Sequence, residues 1–276
     1  MQDKETKINN LRKKIDEIDS QIIDLINLRT EIVQEISKNK AIGPAIRTGR
    51  EAEVLRKILC KAPTNFSKRS IVRIWRELVS AYSQMQSSYS VGLCAPTHSV
   101  GYWDITRDYF GSASNIELYK SSKVLLQKIS DDRSFIGVFP HPSNNSEADW
   151  WKNIGIGSNN QTNIIARLPY GGKSIDQFEE LEAIAVASFP SEISGKDRSW
   201  LIFELNKKKS KDLLVKIAGK LGIFGELVGQ LEESENIFLY LLDVEGFFEV
   251  GSKVFESLLN NEDGIVSIRS IGSYAL

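Results

Sequence analysis

The sequence is poor in the residues that disulfide frameworks and zinc centres require. Only two cysteines and two histidines occur in 276 residues. Cys60 and Cys94 lie in different parts of the chain and show no zinc-type spacing. We therefore expect two free thiols in a reducing compartment, and we expect no metal site.

A strong net charge and long apolar runs are also missing. The formal net charge is −1 and the pI is about 6.2, so neither nucleic acid nor an anionic membrane is an expected partner. No apolar run approaches the length of a membrane span, and the charged opening MQDKETK lacks the apolar centre of a signal peptide. These absences predict a soluble cytoplasmic protein, whose length leaves room for two or three small domains.

The chain does contain one long amphipathic pattern, between residues 8 and 50. Its apolar positions are spaced three and four residues apart, at Ile8, Leu11, Ile15, Ile18, Ile22, Leu25, Ile32 and Ile36. The pattern predicts a helix from about residue 5 to residue 40, roughly 50 Å long, which Gly43 and Pro44 end. Such a helix cannot bury its stripe against two shorter ones, so we expect it to pair with a second copy of the chain.

One position of this apolar stripe holds Arg29, between Leu25 and Ile32. A guanidinium on an apolar stripe is costly unless an anion meets it. Lys40 follows eleven residues later, about three turns and roughly 16 Å along the same side of the helix. The two cations could converge on a small dianion. A solvated coiled-coil helix with one odd arginine remains an open alternative on spacing alone.

Two shorter helices are predicted next. Helix 2 runs from about Arg50 to Cys60, and Ser67 can cap helix 3. Helix 3 carries an apolar stripe of Ile71, Ile74, Trp75, Leu78, Val79, Tyr82 and Met85. Gln86 shares a face with Tyr82, four residues before it, and is the polar member that we assign to a site.

Residues 6–88 resemble the all-helical class of chorismate mutase. The resemblance rests on six polar positions set on one apolar framework: Arg12, Arg29, Lys40, Arg50, Glu51 and Gln86. Two positions depart from the pattern. Arg47 stands where many members carry Asp, a place that can act through its backbone N–H. Tyr82 stands where many carry Ser, which changes one carboxylate contact.

The resemblance implies an activity and a role for each polar residue. Chorismate rearranges to prephenate within one molecule, so neither a nucleophile nor a metal or other cofactor is needed. The protein must hold the substrate folded and stabilise the charge that grows on the ether oxygen. Arginine forks suit the carboxylates. The implied roles are carboxylate binding by Arg29 and by Arg12 of a partner chain, donation to the ether oxygen by Lys40 and Gln86, acceptance from the ring hydroxyl by Glu51, and substrate binding or charge balance by Arg47 and Arg50.

Residues 89–197 show strand and helix alternation, which predicts a small α/β segment. The segment resembles the start of a prephenate dehydratase domain, with Leu93-Cys94-Ala95-Pro96 and Val138-Phe139-Pro140-His141-Pro142 at the two strand ends. Its roughly 110 residues are too few for two lobes, and the catalytic Thr-Arg-Phe motif has no counterpart. We expect a degenerate remnant without dehydratase activity.

Residues 198–276 follow the order βαββαβ, which predicts a ferredoxin-like α+β unit. The endings FLYLLDVEG and SIRSIGSYAL resemble an ACT regulatory domain. Its effector motifs are replaced by Lys209-Ser210-Lys211 and Gly229-Gln230-Leu231-Glu232. We therefore expect weak phenylalanine binding or none.

Together these patterns predict three parts: an all-α mutase domain over residues 1–88 that forms an intertwined homodimer, the α/β segment over 89–197, and the ACT-like unit over 198–276. Two other functions stay open. One is a bifunctional chorismate mutase/prephenate dehydratase, and the other is a non-catalytic sensor or scaffold. The intact cationic set disfavours the scaffold, and the missing Thr-Arg-Phe motif disfavours the dehydratase.

Overall fold

The computed structural model describes residues 2–39, 46–96, 100–144, 149–155, 161–171, 181–251, 255 and 264–276. Three helices open the chain: α1 (Gln2–Asn39), α2 (Thr48–Lys61) and α3 (Lys68–Gln86). All three match the predicted helices to within a few residues. The Ser67 hydroxyl caps α3 as predicted, because it accepts a hydrogen bond of 3.3 Å from the Ser70 N–H.

The apolar stripe of α1 is open to solvent along most of its length in the single chain. Ile18 is 54% exposed and Leu25 is 65% exposed, whereas Val33, near the end of the helix, is buried. The predicted core stripe of α3 is also incomplete, since Ile74 and Met85 are nearly half exposed. We expected most of this stripe to be core, and these two residues are not covered by the described part of the single chain.

The rest of the chain forms one nine-stranded mixed sheet. Its order is β2-β1-β3-β5-β4-β9-β6-β8-β7. The strands are β1 (Ser90–Leu93), β2 (Ile116–Leu118), β3 (Phe135–Pro140), β4 (Asn163–Leu168), β5 (Ala183–Ala187), β6 (Asp197–Leu205), β7 (Gly225–Ser234), β8 (Ile237–Glu245) and β9 (Ile265–Ala275), and the helices are α4 (Val100–Phe110), α5 (Ser122–Asp131) and α6 (Lys211–Lys220).

Strands β1, β2 and β3 are parallel and are linked through α4 and α5, as the α/β pattern predicts. The sequence analysis did not identify β2, β4 or β5. Strand β2 is a three-residue edge strand with two exposed side chains, and β5 is buried throughout, so neither alternates between apolar and polar residues. The predicted final helix lies almost wholly outside the described residues.

The last four strands are antiparallel in the order β9-β6-β8-β7. Both faces of this half are buried. Trp200 and Leu241 pack with Trp150 and Trp151, which form a short 3-10 helix in the middle segment. Leu201 and Leu242 pack on the other face, against α6. Strands β6, β8 and β9 are therefore largely covered on both faces, whereas the edge strand β7 is partly exposed.

The sheet continues across the predicted boundary between residues 197 and 198. Strand β4 pairs in parallel with β9, where Ile164 lies opposite Gly272. Gly272 has a φ of +126°, and a Cβ there would lie 2.4 Å from the backbone nitrogen of Ile164. Only glycine permits so close an approach, so one residue near the C-terminus lets the two halves share a sheet.

A buried charged cluster crosses the same junction. Arg167 on β4 pairs with Glu182 at 2.6 Å, and it also donates to the Tyr274 hydroxyl on β9 at 3.0 Å. Tyr274 in turn donates to Asp243 on β8 at 2.6 Å, and Arg198 on β6 pairs with the same carboxylate at 2.8 Å. Every charge in the cluster has a partner, as burial requires. The cluster therefore locks four strands of the two halves together.

The helices α2 and α3 pack directly on the mixed-sheet unit. A Cβ on Gly49 would lie 2.7 Å from the Glu192 carbonyl oxygen, so α2 begins in contact with that segment. Farther along α2, Arg56 donates to the Leu276 backbone oxygen at 2.6 Å. On α3, Arg73 pairs with Asp108 of α4 at 2.5 Å. The helical part and the sheet therefore share an extensive polar interface.

Candidate active site

The predicted site begins with Arg29, which lies on the apolar side of α1. Its guanidinium carbon is 4.2 Å from the centre of the Tyr82 ring on α3. The Arg29 side chain is otherwise exposed, so its donors remain accessible. A cation over an aromatic face is held without losing its hydrogen-bonding groups. The Tyr82 ring therefore supports the Arg29 guanidinium while its hydrogen-bond donors stay accessible to an anion.

Tyr82 itself is almost completely buried, with 5% of its surface exposed. Its hydroxyl donates to the Ile26 carbonyl of α1 at 3.0 Å and accepts from the Thr30 hydroxyl at 3.3 Å. The tyrosine therefore ties α3 to α1 and uses its polar end to do so. Tyr82 is one of the two positions that depart from the family pattern, and here its ring packs against the Arg29 guanidinium.

The first turn of α2 contains Arg50 and Glu51, with Arg47 just before it, but the three side chains have different ionic partners. Arg47 occupies the N-cap position, and its backbone N–H donates to Glu51 at 3.3 Å. The Arg47 guanidinium turns away to pair with Glu192 at 2.8 Å, and this hydrogen bond raises its pKa. Arg50 forms an exposed pair with Glu53 at 3.1 Å. Of these two arginines, only Arg47 hydrogen-bonds to the Glu51 carboxylate, and it does so through its backbone N–H.

Glu51 is 8% exposed and forms a buried ion pair with Arg76, at 2.6 Å between Oε2 and Nη1. A carboxylate has about four acceptor positions. The contacts with Arg76 and with the Arg47 N–H occupy one position on each oxygen. The remaining capacity is what acceptance from a substrate hydroxyl would use, and that role stays a prediction.

The other predicted residues are more scattered. Gln86 is the last residue of α3 and is partly exposed, one turn beyond Tyr82. Arg12 is exposed and donates to Asn9 at 3.4 Å. It lies seventeen residues before Arg29, about 25 Å along the same helix. Lys40 lies outside the described residues. Within one chain, the structure thus does not bring Arg12 to Arg29.

Sequence reasoning missed Arg76. The residue occupies a buried polar stripe of α3 with Ser80 and Ser83, spaced four and three residues apart. That spacing places the three side chains on one face, but a polar face of an amphipathic helix ordinarily faces solvent. The sequence therefore carried no signal that this face is buried.

Two features are absent from the described residues. No group of three His, Cys, Asp or Glu side chains in the described part of the chain is arranged to hold a metal ion. Among the described helices, none combines the length and the apolar character needed to cross a membrane.

The fold and the site define a helical domain with accessible and buried cations on its facing helices, joined to a large mixed sheet. Comparison with known families gives a match for this domain. Residues 11–87 match the family described as chorismate mutase type II, so the N-terminal helices are similar to domains of this type.

A curated relative covers more of the chain. It is the bifunctional chorismate mutase/prephenate dehydratase of Aquifex aeolicus (strain VF5), which is 27% identical over 139 residues. The match covers 48% of this chain and 38% of the relative. The chain therefore spans well under half the length of the curated relative that it matches.

Solved structures of prephenate dehydratases are also similar. The enzyme from Arthrobacter aurescens has a TM-score of 0.45 at 10% identity and covers 68% of this chain and 90% of its own. The enzyme from Streptococcus mutans has a TM-score of 0.45 at 12% identity and covers 68% of this chain and 98% of its own.

Proposed function

We propose that this protein is a chorismate mutase, which converts chorismate to prephenate in aromatic amino acid biosynthesis. The observation that carries the proposal is the family match over residues 11–87, because it falls on the helices where Arg29 is held, exposed, on the Tyr82 ring. Free thiols at Cys60 and Cys94 fit the reducing cytoplasm that the sequence predicts.

The proposed mechanism is orientation combined with electrostatic stabilisation. Arg29 would bind one substrate carboxylate through its two-pronged guanidinium. Lys40 and Gln86 would donate to the ether oxygen as its negative charge grows, which favours the transition state over the ground state. Glu51 would accept a hydrogen bond from the ring hydroxyl, and Arg50 would balance charge nearby. No group of the protein needs to gain or lose a proton in this reaction.

The second half of the proposal is a dimer through α1. A helix of 38 residues with an open apolar stripe supports association with a second copy. Consider an antiparallel pair of α1 helices that cross at the level of residues 20 and 21 along the axis, midway between Arg12 and Arg29. The partner subunit's Arg12 would then lie beside Arg29. Each of two sites would then contain arginines from both chains, which resolves the 25 Å separation estimated within one helix.

We further propose that the mixed-sheet unit does not add dehydratase activity. The Thr-Arg-Phe motif is missing from the sequence, and Thr106-Arg107 lies inside α4. The unit would then serve as an ACT-like support or regulatory part. The bifunctional relative keeps dehydratase activity as the second candidate.

A chorismate-consumption assay with product identification tests these proposals together. The purified 276-residue chain should convert chorismate to prephenate and stop there. Absence of chorismate consumption would overturn the mutase proposal and favour a scaffold. Formation of phenylpyruvate from prephenate, above the uncatalysed rate at neutral pH, would favour the bifunctional enzyme.

A further inference from the structure

Arg76 is the most completely enclosed charge of the helical part. It lies in the middle of α3 and is 3% exposed. Its Nε and Nη2 atoms donate to the Tyr109 carbonyl of α4, at 2.9 and 2.6 Å, and its guanidinium carbon lies 3.8 Å from the centre of the Tyr109 ring. Its remaining terminal nitrogen, Nη1, donates to Glu51 at 2.6 Å. The guanidinium therefore faces the mixed-sheet unit with one side and Glu51 with the other.

The charge on Arg76 is secure in this environment. Burial by itself lowers the pKa of the guanidinium, but Tyr109 and Glu51 raise it by more, so the pKa lies above its ordinary value. Burial also raises the pKa of the Tyr109 phenol to about 12, against the opposing effect of Arg76. Arg76 is thus a fixed cation at neutral pH, and the Glu51 carboxylate has a permanent partner.

Glu51 is the residue that links this arrangement to the site. Its second oxygen accepts from the Arg47 N–H, so the carboxylate is held at both oxygens. Two such contacts, one of them from a planar and immobile guanidinium, leave the carboxylate little freedom to rotate. A hydrogen-bond acceptor that is already fixed loses less entropy when a substrate hydroxyl arrives.

We propose that Arg76 is a positioning residue of the mutase site. It orients Glu51 toward the ring hydroxyl of the substrate. Its hydrogen bonds to the Tyr109 carbonyl make the mixed-sheet unit a support of that site. The inference rests on the proposed function, because it assigns a task to Glu51 in the mutase reaction.

Other contacts also hold the N-terminal end of α2 against the mixed-sheet unit. The Arg47 side chain pairs with Glu192, and the Tyr170 hydroxyl donates to the Ala52 carbonyl at 3.3 Å. Both contacts lie within one turn of Glu51. The start of α2 is therefore held by residues far outside the family match, so the sheet can affect the site although it carries none of the predicted substrate contacts.

The test pairs enzyme variants with two substrates, using the full-length chain. The substrates are chorismate and the analogue in which hydrogen replaces the ring hydroxyl. The variants are Arg76→Met, Glu51→Gln and the double variant Glu51→Met/Arg76→Met. The double variant leaves no buried charge unpaired, so it should fold even if Arg76→Met does not. Arg73→Met is the matched control, since it removes the ion pair of α3 with Asp108 on α4, which does not involve Glu51.

With chorismate, Arg76→Met should lower kcat/KM by about tenfold to a hundredfold, the range expected for a hydrogen bond to a charged group. Glu51→Gln should do likewise, and the double variant should lose no more than the worse single variant. With the analogue, all of these variants should lie within about threefold of the wild type. Arg73→Met should leave kcat/KM near the wild-type value for both substrates. Thermal unfolding should be measured for each protein.

The outcomes separate the two levels of inference. Equal losses on both substrates for Arg76→Met and the double variant would show a purely structural role and overturn the positioning role. Wild-type activity in Arg76→Met, or in the double variant if the single variant does not fold, would also overturn it while leaving the mutase proposal intact. A wild-type protein that does not consume chorismate would instead overturn the proposed function, and the positioning role with it.

Discussion

The Arg29 guanidinium on α1 rests 4.2 Å from the centre of the Tyr82 ring on α3. The contact joins the residue that most strongly suggested a site with one of the two residues that depart from the family pattern. It indicates that tyrosine at this position takes over a supporting task, because its hydroxyl is already bonded to the backbone of α1.

The first prediction concerns this support. Tyr82→Leu should raise KM and lower kcat/KM about two- to fivefold, since an exposed cation–π contact is worth about 0.5–1 kcal/mol. The change should appear mostly in KM, because a carboxylate contact is made in the ground state as well as in the transition state. Steady-state kinetics with chorismate measures it.

Tyr82→Phe is the matched control. It keeps the ring under Arg29 and loses the hydrogen bond to Ile26, so it should cost about 1 kcal/mol of unfolding free energy and little activity. A Phe variant as impaired in KM as the Leu variant would show that the ring does not support Arg29.

The second prediction tests the electrostatic role of Gln86. In Gln86→Glu, an ionised carboxylate near neutral pH has no proton to donate and repels the charge on the ether oxygen. Loss of such a donor costs about a hundredfold or more in rate. Protonation at lower pH restores a donor of similar shape, so kcat/KM should recover toward acid, and a nearby Lys40 would shift that recovery to lower pH.

Two profiles of kcat/KM against pH serve as controls. The wild type should be much flatter than Gln86→Glu over the same range, and Gln86→Met should be low at every pH because it has no titrating group. If Gln86→Glu follows the wild type throughout, Gln86 does not face the ether oxygen.

The third prediction concerns assembly. Light scattering should give a dimer at micromolar concentration, because the exposed stripe of α1 needs a partner. Ile18→Asp places a charge in that stripe and should shift the protein toward monomer, with loss of mutase activity. Ser20→Asp adds the same charge on the opposite side of the helix and should remain an active dimer. A wild-type monomer with full activity would contradict the shared site.

The fourth prediction concerns regulation. Isothermal titration calorimetry with phenylalanine should show weak binding or none. The sequence lacks the Gly-Ala-Leu and Glu-Ser-Arg-Pro motifs, and side chains of β6, β8 and β9 are buried on both faces by their own chain. Saturable binding at physiological phenylalanine concentrations would mean that an effector site exists elsewhere.

The sequence by itself determined the three helices, most of the strands and the position of Arg29 on an apolar stripe. These features depend on local spacing, since a period of three to four residues defines a helix face and a cap such as Ser67 acts within one turn. The six polar positions were identified through the family resemblance, and one of them, Lys40, lies outside the described residues.

Only the tertiary structure decided which charges meet. The partners in the Glu51–Arg76 pair are 25 residues apart, and Arg76 reaches Tyr109 across another 33. The joining of two predicted units into one sheet depends on Gly272 meeting Ile164, more than 100 residues earlier. No local period encodes such contacts, because they form only when separate elements pack and each buried charge must find a partner.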